Sequence, residues 1–397
     1  MYFKTLIKSE CCACTACEHA CPVSAIQFSQ DEEGFYYPRI DKDKCVGCGL
    51  CERICPIEKP TYGNSNKPKV YAAMINDIEQ RKKSSSGGIF YAIACWIIQQ
   101  GGKVYGASID ANHKVKHIGI NKLEDLSLLR GSKYVQSDLD HIFIEIKKEL
   151  KLGKWCYFVG TGCQVAGLKA FLRKDYKTLL TSDLVCHGVP SQWIFNQHID
   201  YLETKFKGKV IKYQFRNNET WGGCEIFSLI NSKGKTKTYK FPSYDLSPYL
   251  YSFMHGMISR YSCYDCKFAC LPRQGDLTLG DYWGVKNVFP DMDSTNGISL
   301  VVVNNIKGET ILQHIASLCY MRMSSVIDGA KYNSNLINVS SKHPIRDIIY
   351  KKIVSDGYSF VAENYFRTPH YYSTYIKNML AEYKIIKQFI EWKNKKK

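Results

Sequence analysis

Two runs of cysteine near the start of the chain have the residue type and the spacing to hold iron–sulfur clusters. The first reads C-x-x-C-x-x-C-x-x-x-C-P, and the second repeats the pattern. Thiolates are soft donors, and each cubane cluster needs four ligands. The residues are Cys11, Cys14, Cys17 and Cys21, followed by Pro22, and then Cys45, Cys48, Cys51 and Cys55, followed by Pro56.

The geometry of such runs predicts which cysteines share a cluster. The first three of a run wrap one cluster, and the fourth ligates the cluster of the other run. Zinc is the weaker alternative, because zinc ribbons use paired C-x-x-C motifs. Cys12 lies outside the spacing and is expected to be a packed thiol. We therefore predict two 4Fe-4S clusters, with cluster I on Cys11, Cys14, Cys17 and Cys55 and cluster II on Cys45, Cys48, Cys51 and Cys21.

Composition indicates a soluble globular protein. The chain has 397 residues and a formal net charge of +17. The lysine excess is scattered rather than arranged in a stripe, which argues against a nucleic-acid partner and favours a solvated surface. An acidic partner or an anionic membrane surface stays open, the latter through the amphipathic segment 383–392.

The same composition indicates a cytoplasmic location. No apolar leader precedes the 18 cysteines, so we expect a reducing compartment in which clustered thiols serve metal or redox chemistry. The longest apolar run, residues 89–98, is too short to span a bilayer. Oligomeric state is not apparent from the sequence.

The patterning after the cysteine runs predicts an α/β layer. Strands at 70–74, 103–109, 116–120, 155–159 and 179–185 alternate with helices at 89–99, 123–129, 139–150, 164–172 and 192–205, which favours a largely parallel sheet. Antiparallel strands follow at 210–215, 225–231 and 235–240, then a helix at 247–257, strands at 275–284 and 297–304, and a helix at 309–317. From about residue 325 the chain reads as helical and basic.

Further cysteines lie at the ends of these elements. Cys163 and Cys186 each follow a predicted strand, where open α/β sheets place ligands. Cys263 and Cys266 form a lone C-x-x-C. The four are either a third ligand set or unrelated buried cysteines, and spacing alone does not decide between them. The stretch 84–88, small residues before a helix, is either an anion site or a capped turn.

Several motifs, taken together, resemble the coenzyme F420 hydrogenase/dehydrogenase beta-subunit family over residues 1 to about 320, behind an N-terminal two-cluster ferredoxin domain. The matching residues are Ser84-Ser85-Ser86-Gly87-Gly88, Gly131-Ser132-Lys133-Tyr134, Gly160-Thr161-Gly162-Cys163-Gln164, Cys186-His187-Gly188, Cys263-Tyr264-Asp265-Cys266 and Gly275-Asp276-Leu277-Thr278-Leu279-Gly280-Asp281.

The resemblance implies an FAD-binding α/β domain with its own 4Fe-4S cluster. Carried over, it implies that Cys163, Cys186, Cys263 and Cys266 hold the third cluster, with Cys270 as the alternative to Cys186 for the fourth ligand. Gly162 departs from the pattern, since many relatives carry Pro there. The FAD would be lined by Ser84, Ser85, Ser86, Gly87, Gly88, Gly131, Ser132, Lys133, Tyr134, Gly160, Thr161 and Gly162.

The expected architecture is therefore α+β/α/β. A bacterial-type 2[4Fe-4S] ferredoxin domain (1–58) is followed by a linker (59–68), an α/β flavin-binding part with a mixed sheet (69–150 and 151–325) and a helical, basic C-terminal tail (326–397). The expected function is an FAD- and iron–sulfur-dependent oxidoreductase. Its partner is a redox protein or a small hydride carrier, and the alternative is a non-catalytic electron-transfer subunit. No catalytic residue is assigned, although His187 could donate a hydrogen bond to flavin or substrate; it is expected rather to order its loop.

Overall fold

A computed structural model describes residues 2–60, 63–216, 223–377, 379–380 and 388. The strands are β1 Ile26–Gln30, β2 Tyr36–Ile40, β3 Lys69–Ile75, β4 Lys103–Ile109, β5 Val115–Ile120, β6 Cys156–Thr161, β7 Leu179–Leu184, β8 Lys209–Gln214, β9 Ile226–Ile230, β10 Thr236–Lys240, β11 Leu277–Asp281, β12 Ser299–Val303 and β13 Cys319–Ser324.

Fourteen α-helices are bounded in the same part of the chain. They are α1 Tyr2–Thr5, α2 Ala16–Ala20, α3 Leu50–Arg53, α4 Ile78–Lys82, α5 Ile89–Gln99, α6 Leu126–Leu129, α7 Ile142–Lys151, α8 Gly162–Leu172, α9 Gln192–Phe206, α10 Pro248–Met254, α11 Ile306–Ile315, α12 Val326–Lys331, α13 Arg346–Asp356 and α14 Tyr358–Asn364.

The N-terminal segment 2–58, called here the dicluster module, folds around two similar cysteine loops and the antiparallel β1–β2 hairpin. Both loops adopt left-handed backbone at the two positions that flank the second cysteine of the run. These positions are Gly47 (φ 65°) and Gly49 (φ 66°) in the second loop, and Ala13 (φ 53°) and Thr15 (φ 61°) in the first. Glycine accepts this conformation without strain, whereas Ala and Thr adopt it only where surrounding contacts hold it.

A mixed eight-stranded sheet forms the centre of the molecule, in the order β13-β3-β12-β11-β7-β6-β4-β5. The four strands β11, β7, β6 and β4 are parallel neighbours, as the strand–turn–helix alternation predicts. The other pairs are antiparallel, so the sheet is mixed and not largely parallel. The edge strand β13 has no counterpart in the sequence-based prediction.

Alternate residues of the sheet face two different layers. On one face, Val104 and Tyr157 pack against α5 and α11. On the other, Tyr105 and Phe158 pack against α7, α8 and the dicluster module, which contributes Ala16 and other buried side chains. The dicluster module therefore lies on the same face of the sheet as α8.

A second layer packs against another side of the dicluster module. The antiparallel sheet β10-β9-β8 packs with α9, α10, α13 and α14 into a separate core that also takes in Phe35 and Tyr37. Two buried arginines fix this contact. The Arg346 guanidinium forms two hydrogen bonds to the Glu33 carboxylate, one at 2.6 Å, and Arg260 lies 4.0 Å from the centre of the Tyr37 ring.

The C-terminal region is helical through α12, α13 and α14, as the sequence predicts. The amphipathic segment expected at 383–392 lies outside the described residues, apart from residue 388. Among the helices that the structure describes, none is long and apolar enough to cross a membrane.

Candidate functional site: a four-cysteine cavity beside the dicluster module

One edge of the main sheet collects most of the residues singled out from the sequence. Strand β3 runs in the same direction as the parallel strands, because two antiparallel pairings separate it from β11. The carboxyl ends of β3, β4, β6, β7 and β11 therefore share an edge. The stretches 84–88, 160–163 and 186–188 all follow strands that end there, and 131–134 leads towards the same edge. Open α/β sheets place ligands at this edge.

In the dicluster module, the thiols of Cys55 and Cys51 both lie near Cys17 of the first cysteine run. Burial raises the pKa of Cys17 well above its usual range, and the negative charges of Cys11 and Cys55 raise it further. Backbone N–H groups point at the sulfurs: Ala25 N lies 3.2 Å from the Cys21 Sγ. Such hydrogen bonds stabilise thiolate ligands and tune cluster potentials.

The two cluster positions differ in their access to solvent. Cys45 and Cys48, assigned to cluster II, are exposed, and Val46 between them is 66% exposed. Cys14, assigned to cluster I, is 8% exposed. Cluster II would therefore face solvent, while cluster I would face the interior.

The four downstream cysteines of the sequence-based hypothesis meet in a single cavity. They come from the start of α8, the loop after β7 and a turn at 261–266. The cavity is walled on one side by the dicluster module. Its cysteines are Cys163, Cys186, Cys263 and Cys266, joined by Cys12.

Local interactions place each of these thiols. Helix α8 begins with a capping box in which the Thr161 N–H donates to Gln164 Oε1 at 2.9 Å, so Cys163 lies in the first turn. The Gly188 N–H lies 3.4 Å from the Cys186 Sγ. Gly188 has a φ of 105°, and a Cβ there would lie 2.7 Å from Ser259 Oγ and 3.3 Å from Cys263 Cβ. Glycine therefore lets the Cys186 loop approach the Cys263 turn.

Burial disfavours the thiolate form of these cysteines without a bound cation. It raises the pKa of Cys186 to about 12 and that of Cys266 to about 11, and lifts the pKa of Cys263 well above its usual range. The neighbouring Arg273 side chain, 2% exposed, lines the cavity and is also paired with a buried carboxylate, Asp183, at 3.3 Å. Its guanidinium, the Lys267 side chain that also lines the cavity and the N-terminal dipole of α8 are the positive groups that an anionic centre there would meet.

The spacing of these thiols differs from that of a single-ion site. Within the described part of the chain, no three His, Cys, Asp or Glu side chains converge closely enough to hold one metal ion. A cubane spreads its four thiolates more widely than a zinc ion, whose bonds to sulfur are about 2.3 Å.

Cys270, the rival ligand, lies apart from this group. Its Sγ faces the Lys267 carbonyl at 3.4 Å, and it is not among the residues that line the cavity. Cys186 does line it. The arrangement favours Cys186 over Cys270 as the fourth ligand.

The stretch 84–88 is packed tightly between β3 and α5. A Cβ on Gly87 would lie 2.2 Å from the Ala73 carbonyl oxygen, so only glycine fits. Ser84 Oγ accepts a hydrogen bond from Arg130 at 2.9 Å, and Ser86 Oγ donates to the Ile298 carbonyl at 2.9 Å. The Ser85 hydroxyl is buried without a hydrogen-bond partner among the described residues. A buried hydroxyl without a partner, beside the free N–H groups of α5, suits an anionic ligand.

The stretch 131–134 adjoins it through Arg130. The Lys133 ammonium donates to the carbonyls of Arg130 and Leu128, at 2.8 and 3.3 Å, and no described carboxylate pairs with it. Burial lowers the pKa of Lys133 to about 7. Because burial destabilises the Lys133 ammonium and no carboxylate compensates for it, a bound anion nearby would stabilise the charged form.

Part of the 160–162 loop lies at the cysteine cavity itself. Thr161 and Gly162 line it, and Thr161 Oγ1 lies 3.1 Å from the Cys163 Sγ. The His187 carbonyl accepts a hydrogen bond from Ser340 at 2.8 Å, which fixes the loop. Burial lowers the pKa of His187, which disfavours the charged form of its imidazole.

The structure adds residues that the sequence reasoning missed. Cys12 and Ile57 of the dicluster module, and Asn335 and Ser340 of the C-terminal region, line the cavity. Arg260, fully buried, joins the module to the cavity loops. No local pattern distinguishes Asn335, Ser340 or Arg260, because their role depends on the packing of distant segments. Cys12 carried one signal, a cysteine directly next to an expected ligand.

Comparisons with known proteins match two regions of the chain. Residues 153–328 match the family model for the C terminus of the beta subunit of coenzyme F420 hydrogenase/dehydrogenase, and residues 10–59 match the 4Fe-4S dicluster domain. Among curated proteins, no sequence matches the chain.

One solved structure among the similar ones is a chain of the F420-reducing NiFe hydrogenase complex from Methanosarcina barkeri, in a xenon derivative. It has 17% identity and a TM-score of 0.46, over 78% of this chain and 98% of that one. The sequence matches alone identify the two regions: the chain carries a 4Fe-4S dicluster domain at 10–59, and its residues 153–328 belong to the C-terminal family of the coenzyme F420 hydrogenase/dehydrogenase beta subunit.

Proposed function

We propose that the chain is an iron–sulfur flavoprotein oxidoreductase with three 4Fe-4S clusters and one FAD. The observation that carries the proposal is the convergence of Cys163, Cys186, Cys263 and Cys266 in one cavity walled by the dicluster module. These four cysteines are separated by up to about a hundred residues in the chain, and only the fold brings them together.

The cavity residues fit a third cluster in type and charge. Four thiols match the four ligands of a cubane. Arg273 and the N-terminus of α8 would face its negative charge, and the Gly188 N–H would donate to the Cys186 sulfur. Bound iron would hold the cysteines as thiolates, which burial alone disfavours.

The neighbouring loops fit FAD. The Ser85 hydroxyl, which finds no partner among the described residues, and the N–H groups at the start of α5 would bind the pyrophosphate. Lys133 would supply a positive charge. Thr161 and Gly162 touch the cysteine cavity, so a flavin that also contacts their loop would border the third cluster.

Bound FAD would supply hydride exchange and the release of single electrons, whereas an iron–sulfur cluster carries one electron at a time. The task of the protein is to bind and orient this group and to exclude water around it. No general base is required. The His187 carbonyl accepts a hydrogen bond from Ser340, which fixes the loop, so we assign His187 an ordering role.

The family resemblance supports a hydride donor or acceptor that is a deazaflavin coenzyme or another small molecule. The exposed pair Cys45 and Cys48 supports cluster II as the exit towards a redox partner protein. This exposure would serve equally well in the second candidate function, a non-catalytic relay protein that binds no flavin.

The test uses anaerobically purified holoprotein reconstituted with iron, sulfide and FAD. We expect FAD to stay bound after unbound flavin is removed, to be released on denaturation, and to bleach on addition of one of a panel of hydride donors that includes reduced F420. Protein that assembles its clusters but does not retain FAD would overturn the proposal in favour of the relay protein.

A further inference from the structure

One thiol lies at the contact between the dicluster module and the four-cysteine cavity. Cys12 is 7% exposed and lines the cavity. Its side chain lies beside both Cys14, assigned to cluster I, and Cys163, assigned to the third cluster. Cys12 therefore contacts one expected ligand of each cluster.

Residues outside the dicluster module fix the backbone around this thiol. Gln136 Nε2 donates to the Cys12 carbonyl at 3.1 Å, and Arg260 Nε donates to the Cys11 carbonyl at 2.8 Å. Arg260 also donates to Gln136 Oε1 at 3.3 Å. Because Arg260 is completely buried, this network holds the Cys11–Cys12 segment against the rest of the protein.

Helix α8 brings the same two ligand sets together. Cys163 lies in its first turn, and Gly167 lies one turn later. A Cβ on Gly167 would lie 2.6 Å from Cys14 Cβ and 3.0 Å from Cys14 Sγ. Because Gly167 has no side chain, Cys14 can touch the helix that carries Cys163. The two helix positions, 163 and 167, are about 6 Å apart along the axis, the rise of four residues.

We propose that Cys12 is a positioning residue that couples cluster I to the third cluster. The inference rests on the proposed function, because it requires a cluster in the cavity. With both clusters bound, one electron would pass from the reduced cluster in the cavity to the oxidised cluster I. Cys12 remains a thiol throughout: no bond forms or breaks, and its proton stays on sulfur. Its side chain, placed between Cys14 and Cys163, would hold these two ligands in position and tune both clusters.

The test compares Cys12→Ala with Cys12→Ser in the reconstituted holoprotein, with Cys319→Ala as the control for loss of a partly buried thiol elsewhere. Iron content is measured first. Freeze-quench EPR then follows electron equilibration between the clusters after a pulse of dithionite, together with the magnetic interaction between reduced clusters.

We expect all these variants to keep the iron of the wild type. Cys12→Ala should slow equilibration roughly ten- to hundredfold, the usual effect of losing an outer-shell partner, and should weaken the magnetic interaction. Cys12→Ser, which keeps a hydrogen-bond donor, should recover part of the rate. Cys319→Ala should behave as the wild type.

Unchanged equilibration and unchanged EPR spectra in Cys12→Ala would overturn the inference. Loss of iron from Cys12→Ala alone would overturn it too, by making Cys12 a ligand. Wild-type protein without a third cluster would overturn the proposed function and, with it, the inference.

A second variant tests the contact from the other side. Gly167→Ala should displace Cys14 and slow the same transfer, whereas Gly106→Ala, whose Cβ would have its nearest neighbour at 3.6 Å, should not. Equal rates in these two variants would contradict the role of the α8 contact.

Discussion

The two sets of cysteines in this chain are built in opposite ways. The eight of the dicluster module lie within 45 residues, in two loops of the same backbone conformation, and two of them are exposed. The four of the cavity come from three loops at one sheet edge and are at least partly buried. The first set depends on local spacing. The second exists only when the eight-stranded sheet has formed, so its assembly should be linked to folding.

The largest expected difference between the two regions is in iron content. Cys263→Ala should lose the cavity cluster, about four irons, and keep the dicluster pair. Cys48→Ala should damage cluster II and electron exchange with an external acceptor while FAD binding is spared. Iron analysis and flavin release, with Cys95→Ala as the control, check both. Full iron and unchanged flavin reduction in Cys263→Ala would count against the cavity as a cluster site.

The packing of the dicluster module against the layer that contains α13 should depend strongly on the Glu33–Arg346 pair. Arg346→Met leaves the Glu33 carboxylate buried without its partner, which typically costs about 3–5 kcal/mol of unfolding free energy. Urea unfolding under anaerobic conditions measures it. The control Arg322→Met removes a solvent-exposed pair with Asp291 and should change little. Equal losses in the two variants would show that the buried pair has no special role.

Flavin binding should depend more moderately on Lys133. A hydrogen bond to a charged group contributes about 1.5–3 kcal/mol, so Lys133→Met should weaken FAD binding roughly 10- to 100-fold. The exposed Lys148→Met is the control. Fluorescence titration with FAD measures the affinity, and equal affinity in both variants would remove Lys133 from the proposed site.

The same lysine predicts the sign of a pH dependence. With a pKa of about 7 in the protein without ligand, Lys133 loses its charge as the pH rises above 7. An anionic ligand favours the charged form, so FAD affinity should fall as the pH rises from about 7. In Lys133→Met this part of the slope should disappear. If the fall in FAD affinity above pH 7 persists in the variant, another group causes it.

The smallest effect is expected at Cys270. Because its thiol does not line the cavity, Cys270→Ala should retain the iron content and EPR spectrum of the wild type. Cys186→Ala should not. Loss of iron in Cys270→Ala would exchange the two residues in the ligand assignment.

Much of the fold follows from local pattern. Helix α5 and strand β4 have the predicted limits, because a continuous apolar helix and a β-rich segment are separated by two glycines. Strand β13 was not predicted, since Cys319–Ser324 is an edge strand whose pairing with β3 is a long-range contact. The eight cysteines of the dicluster module could likewise be recognised from spacing within a short stretch of the sequence.

The cavity is only partly accessible to sequence reasoning. Cys163 and Cys186 were found because both follow strands, and Cys263 and Cys266 joined them through a family resemblance. The position of Cys12 between Cys14 and Cys163 depends on how the module docks on α8, and no spacing encodes that contact.

The most direct test of the central claim is the iron and acid-labile sulfide content of the anaerobically reconstituted wild-type protein, with low-temperature EPR of the reduced state. Three cubanes predict about twelve irons and twelve sulfides per chain. About eight of each, with the spectrum of the dicluster module alone, would show that the four-cysteine cavity holds no cluster.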